Sequence, residues 1–232
     1  MQIREFMGGD FDAASRILGS TWHAHQGGRS HWQGADELCA YLAKSDYGYV
    51  AVNDIGDLAG IILVRSPREE DHNETMRMHW LQQRTRLAAV ANALGIDSRA
   101  DAWVLAKESA LLEAYADKNE DEGAGELTLI IVTAEVRGMG VGRMLLREGL
   151  SWLEAHGCKT LRLLTDSECD WQLYEHLDMK RVASDAVSKE TIASMYPGAS
   201  DDAFVGGNAF EGESIGIYVY EAPLAKLTAK FS

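Results

Sequence analysis

The run Arg137, Gly138, Met139, Gly140, Val141, Gly142 sets three glycines at alternate positions behind an arginine, between a strand-like segment and a helix-like one. Residues without a Cβ let successive backbone N–H groups turn toward one point, and a concavity of that kind binds anions. The free N–H groups and positive dipole end of a following helix reinforce the site, so a pyrophosphate is its natural guest. Two other nucleotide patterns fail on spacing. A Rossmann fingerprint needs G-x-G-x-x-G early in a βαβ unit with an acidic residue about twenty positions on, and a P-loop needs GK[ST]. Here the spacing is G-x-G-x-G, deep in the chain.

Other reactive side chains carry less. His23, His25 and His31 sit among glycines and aromatics with no carboxylate or cysteine signature to fix a coordination geometry, so no metal is expected. Cys39, Cys158 and Cys169 share no C-x-x-C spacing, which argues against a disulfide framework and a structural zinc. A reducing, cytoplasmic setting fits them. The 36 acidic residues outnumber the 22 basic ones, a formal charge of -14 that repels nucleic acid and anionic membrane surfaces and attracts amines. The N-terminus lacks the basic-then-apolar order of a signal peptide, and no apolar run approaches a membrane span of roughly 18 residues.

The elements that must hold the turn follow from periodicity. Met1 to Phe6 reads as a strand, and Asp10 caps a helix through Phe11, Ala14, Ile17 and Leu18. Ser20 to Gly34 reads as a loop and Ala35 to Lys44 as a second helix, followed by a hairpin of Gly48 to Asn53 and Leu58 to Arg65. Pro67 to Gly125 has helical spacing at Leu87, Val90, Ala91 and Leu94, then at Val104, Leu111 and Tyr115. It reads as two helices broken near Gly95 to Ser98, with Asp117 to Glu122 as an acidic exit loop. Strand signal returns at Glu126 to Thr133. A helix from about Gly142 to His156 stops at Gly157, then come a strand Lys159 to Thr165, a short helix from Asp170 to about Leu177 and a strand Lys180 to Ser184. A loop to Glu213 precedes a last strand, Ser214 to Glu221.

The segment EVRGMGVGRMLL, with WQLYEHLDMKRV from Trp171 to Val182, resembles the acetyl-CoA-binding motif and the late helix and strand of the GNAT acetyltransferase superfamily. The element order over residues 1–65 and 126–222 fits as well. The resemblance implies an α/β fold: a mixed, mostly antiparallel sheet flanked by helices, in a single domain over 1–232. The helical insertion, about 67–125, would stand between the third and fourth strands, and a loop insertion would cover about 185–213. Asp178 and Met179 depart from the family's usual Gly-Phe.

The resemblance further implies N-acetyl transfer from acetyl-CoA to a primary amine, small molecule or peptide, by direct attack through a tetrahedral intermediate. A catalytically degenerate acyl-CoA-binding or sensor module is the alternative. Cofactor contacts are expected from Ile130, Ile131 and Val132 on a splayed strand and from Arg137, Gly138, Met139, Gly140, Val141, Gly142 and Arg143. Tyr174 matches the family's acid, whose O–H would protonate the leaving thiolate. Glu126 is the candidate base, on the same strand face as Ile130 by even offset but about 13 Å away and so dependent on a water chain. Asp166, Ser167 and Cys169 can touch acceptor or coenzyme, and direct transfer needs no nucleophile from Cys169. The acceptor is expected near Trp22 to Trp32 and the loop after Ser184, where aromatic rings can hold a cation. Dimers are common in the resembling family, so a homodimer is among the expected assemblies.

Overall fold

A computed structural model of the chain describes residues 1–68, 73–94, 99–119, 123–188, 190–191 and 214–231. Seven strands form one sheet in the order β1-β2-β3-β4-β5-β7-β6: β1 (Gln2–Glu5), β2 (Tyr47–Val52), β3 (Leu58–Arg65), β4 (Ala124–Val132), β5 (Thr160–Asp166), β6 (Lys180–Ser188) and β7 (Ser214–Pro223). Only β4 and β5 are parallel; the other neighbours run antiparallel.

The helices are α1 (Phe11–Trp22), α2 (Ser30–Ala43), α3 (Glu74–Ala93), α4 (Arg99–Asn119), α5 (Val141–Ala155), α6 (Gln172–His176) and α7 (Leu224–Phe231). One face of the sheet packs Ile62, Val64, Leu127 and Leu163 against Leu145, Leu150 and Leu153 of α5 and Leu224 and Leu227 of α7. The other packs Val50, Ile61, Leu63, Leu129 and Ile131 against Ile17, Leu18, Leu38 and Leu42 of α1 and α2, with Trp80 of α3 beyond. On that second face, α4 lays Trp103, Val104 and Leu111 over Leu164, Val187 and Ile217. Among the described residues no helix is long and apolar enough to cross a membrane.

The mixed α/β fold expected from the sequence is therefore present, and most element bounds agree within a few residues. Four differences are physical. Ser30 to Gly34, read as loop because of its glycines, begins α2; Gly34 is needed there because a Cβ on it would lie 2.2 Å from the Ser15 carbonyl oxygen and 2.5 Å from the Gly19 nitrogen. β6 runs on to Ser188, where antiparallel pairing with Ser214 overrides its polar composition. Helix α7, absent from the sequence reading, buries Leu224 and Leu227. Asp117 to Asn119 belong to α4. The helix break at Gly95 to Ser98, the rest of the acidic run (120–122) and nearly all of the loop after Ser188 lie outside the described residues.

The departure at Asp178 and Met179 is absorbed. Asp178 holds the left-handed conformation (φ 58°) that glycine adopts freely and that aspartate tolerates better than most residues, with its carboxylate 2.6 Å from Lys230 Nζ. Met179 is buried against the α5 face, filling the place of an aromatic ring.

Backbone contact between α1 and α2 at Gly34 leaves no room for a side chain, so Gly34→Ala should destabilise the fold by about 2 kcal/mol, an overpacking cost. Urea unfolding measures this, and a variant as stable as the parent would contradict the close approach.

Candidate active site

The parallel pairing of β4 with β5 covers only Ala124 to Leu127 against Thr160 to Leu163. Beyond it β4 stays with β3, whereas Leu164 to Asp166 stay with β7, so the two strands part and a wedge opens in the middle of the sheet. The cause is local. The β3 register passes from Leu63 opposite Leu129 to Val64 opposite Leu127, leaving Thr128 as the extra residue of a β-bulge, and a bulge bends its strand. Thr128 is fixed by its hydroxyl, 2.6 Å from that of Ser45. Thr133 donates its N–H to the Ala59 carbonyl, so by alternation Ile130 and Val132 direct their N–H and C=O groups into the wedge.

A cleft of about 1470 Å³ runs through this wedge. On its α5 side lies the glycine turn. Gly138 and Gly140 have φ of 76° and 81°, and a Cβ on either would meet nothing within 4 Å, so the space over them is open for a ligand. Among the described residues the N–H groups of Gly138, Gly140, Val141, Gly142 and Arg143 have no backbone acceptor, whereas that of Met139 is spent on the Val136 carbonyl. They lie in and just before the first turn of α5, where the dipole adds positive potential. Arg137 and Arg143 also line the cleft; Arg143 donates to the Lys230 carbonyl at 2.9 Å and lies over the Phe231 ring. Met139 is 69% exposed and outside the lining.

Tyr174 of α6 lines the cleft from the same face, its ring tilted against Tyr220 at 5.7 Å. Burial, reinforced by Cys169, Asp170 and Asp166, holds its hydroxyl well above the ordinary tyrosine pKa, so it remains a proton donor.

The opposite side of the cleft is acidic. Glu37 and Tyr41 come from α2, Glu108 from α4 and Asp166 from the end of β5. Burial pushes the Glu108 carboxyl up to about 8, helped by Asp166 and Glu37 and opposed by Lys44, and Glu108 has no hydrogen-bond partner among the described residues. Burial raises Asp166 too, although its Oδ1 accepts N–H bonds from Glu168 (2.8 Å) and Cys169 (2.9 Å). Tyr41 is driven well above its usual value, by burial first and then by these carboxylates. Burial likewise keeps Cys169 as a thiol, which makes it a poor nucleophile.

Of the residues singled out in the sequence, the structure brings to the cleft Ile130, Ile131, Val132, Tyr174 and every turn residue except Met139. Glu126 is elsewhere. The bulge breaks the alternation that would have put it on the face of Ile130: Leu127, Ile130 and Val132 share the α5 face, and Glu126, one residue before Leu127, points to the other. It does not line the cleft, and its carboxyl, raised by burial, is countered by Lys44, Arg65 and Arg162. Trp22 lines the cleft and tilts against Tyr41, whereas Trp32 donates to the Leu87 carbonyl of α3. His31 meets Asp12 at 3.1 Å and His23 meets Glu37 at 3.0 Å; the side chain of His25 lies outside the described residues.

Glu37 and Glu108 escaped the sequence reading. A signal existed for Glu108, which stands four residues after Val104 and three before Leu111, on the helix's apolar stripe rather than its polar face.

A sequence model described as the acetyltransferase (GNAT) family matches residues 13–179. No curated protein matches. Solved structures similar in fold include a protein from Streptococcus mutans UA159 (12% identity, 97% of this chain and 99% of that one, TM-score 0.51). Others are a GCN5-related N-acetyltransferase from Kribbella flavida (13%, 96% of each chain, 0.50) and the ribosomal-protein-S18-alanine N-acetyltransferase from Escherichia coli (13%, 96% and 93%, 0.51).

Because the folded pKa of Glu108 lies above its ordinary value, its proton stabilises the fold; that contribution is complete below about 4.5 and lost as pH rises through about 8. Glu108→Gln should therefore gain melting temperature over the parent at about pH 9, and gain less near pH 6. An identical offset at both pH values would mean that the carboxyl is not buried as described.

Proposed function

The chain belongs to the GNAT acetyltransferase family, and from that premise we propose that it transfers the acetyl group of acetyl-CoA to a primary amine by direct attack. The observation that carries this reading is the wedge between β4 and β5, with an anion cradle on one side and a carboxylate chamber on the other. Residues 1–232 are taken as one catalytic domain, since α4, from the stretch between β3 and β4, contributes Glu108 to the cleft.

The N–H groups of Gly138, Gly140, Val141, Gly142 and Arg143, with the Arg137 side chain, would hold the pyrophosphate. Open space over the two left-handed glycines supports the fit. Met139 shapes the turn without contributing its N–H. Ile130 and Val132 would receive the pantetheine arm along the β4 edge, and their N–H groups would face the oxygen that becomes negative in the tetrahedral intermediate. Ile131 would anchor the strand by its buried side chain.

Proton movements follow from charge. An alkylammonium has a pKa of about 10.4 and cannot attack until it loses a proton. Glu108 accepts that proton in this reading, because it lines the chamber and a base poised near the working pH is the efficient one. The nitrogen then adds to the thioester carbonyl to give the tetrahedral intermediate. On its collapse the C–S bond breaks, Tyr174 gives its proton to the departing thiolate, and the proton shed by the adduct nitrogen makes good the one that Tyr174 gave. Glu126, off the cleft, would act only through intervening water.

Incubation with acetyl-CoA and an amine panel, followed by thiol release, tests the assignment. Acceptor-dependent release is expected; binding of acetyl-CoA with no release from any amine would favour the degenerate sensor. Tyr174→Phe should lower kcat by about a hundredfold while leaving acetyl-CoA affinity unchanged. The kcat/KM of the parent should rise with pH through a limb near 8, set by ionisation of Glu108. Glu108→Gln should abolish the limb and Glu126→Gln should keep it; the reverse pattern would return the base to Glu126.

A further inference from the structure

The chamber holds more carboxyl groups than deprotonation of one amine requires. Glu37, Glu108 and Asp166 all line the same side of the cleft, and the charge of Glu37 acts on both of the others. Of the cations nearby, Arg16 is paired with Asp12 and Arg84 with Asp36; Lys44, over the Tyr41 ring, acts on Glu108 from outside the cleft lining, and Lys107 lies over Trp103. Glu37 places Oε1 3.0 Å from His23 Nε2, while its Oε2 is buried with no hydrogen-bond partner among the described residues. Glu108 likewise has none. Glu37, part-buried with an unused acceptor oxygen, is costly unless positive charge beyond that of His23 is supplied, and Glu108 becomes so once it gives up its proton.

The reacting nitrogen cannot be that something for long. It must surrender its proton before attack, so its charge leaves the substrate at the step that matters. Glu37 stands apart from that exchange, and a cation that stays charged throughout would hold it in every state. The cleft lining also carries Ile17, Val104, Leu105 and Leu164, which suit methylene groups.

Resting on the acetyl-transfer reading above, we propose that the acceptor is a diamine or polyamine: one nitrogen reacts beside Glu108 while a second, still protonated, ammonium several methylenes away is held by Glu37. The overall charge of -14 would concentrate such polycations near the protein.

The test compares putrescine, cadaverine and spermidine with butylamine, pentylamine and an alanine-initiated peptide, each with saturating acetyl-CoA and thiol release as readout. A diamine should exceed the monoamine of equal carbon number by about tenfold or more in kcat/KM, mostly through KM, the size of one partly buried charge contact. Added salt should raise KM for the diamine more steeply than for the monoamine. In Glu37→Gln, checked for folding by its melting temperature, the diamine-to-monoamine ratio should fall toward one. Equal rates for diamine and monoamine, preference for the peptide, or an unchanged ratio in a folded Glu37→Gln would overturn the proposal while leaving acetyl transfer standing. Absence of thiol release with every amine would overturn both readings.

Discussion

Parallel strands that stop pairing midway leave a row of backbone N–H and C=O groups with nothing to bond, and the interior of a sheet is an expensive place to leave them. The rest of this molecule is arranged around that cost. Thr128 forces the parting by taking one residue too many on β4. The β3 and β7 strands keep the two diverging edges rigid on their outer sides, so the wedge cannot close by collapse. What remains is a slot whose donors and acceptors are aimed and fixed before any ligand arrives, the condition under which polar groups contribute most to binding and to stabilising a developing charge.

The wedge also joins two chemically different half-sites. The α5 face brings a helix N-terminus, left-handed glycines and Tyr174, all suited to an anionic ligand with a leaving group that must be protonated. The α2 and α4 face brings carboxylates, suited to a cation that must lose a proton. A sheet normally separates its faces completely. In the proposed reaction the parting of β4 and β5 would let a thioester held on one face meet an amine held on the other. Charge is sorted the same way, with Arg137 and Arg143 at one end and Glu37, Glu108 and Asp166 at the other.

The fold and the anion-binding half were legible in the sequence because both are local. A glycine turn announces itself through residue type, and apolar periodicity marks β4 and α5 on either side of it. Of the acidic half only Asp166 was legible, since Glu37, Glu108 and Asp166 are brought together only by tertiary packing. The bulge had the same effect on a smaller scale. Nothing in the run from Glu126 to Val132 signals that Thr128 is the extra residue, yet that single slip moves Glu126 off the face of Ile130. Composition misled at Ser30 to Gly34, where glycine meant close helix packing rather than a loop.

The most direct test of the central claim is amide hydrogen exchange, resolved by residue, with and without acetyl-CoA. If the wedge and the turn are the binding slot, exchange should slow at Ile130 and Val132 and across Gly138 and Gly140 to Arg143, with Thr133, already bonded to Ala59, little changed. Protection confined to other strands, or none at the β4 edge when the ligand is bound, would contradict the account.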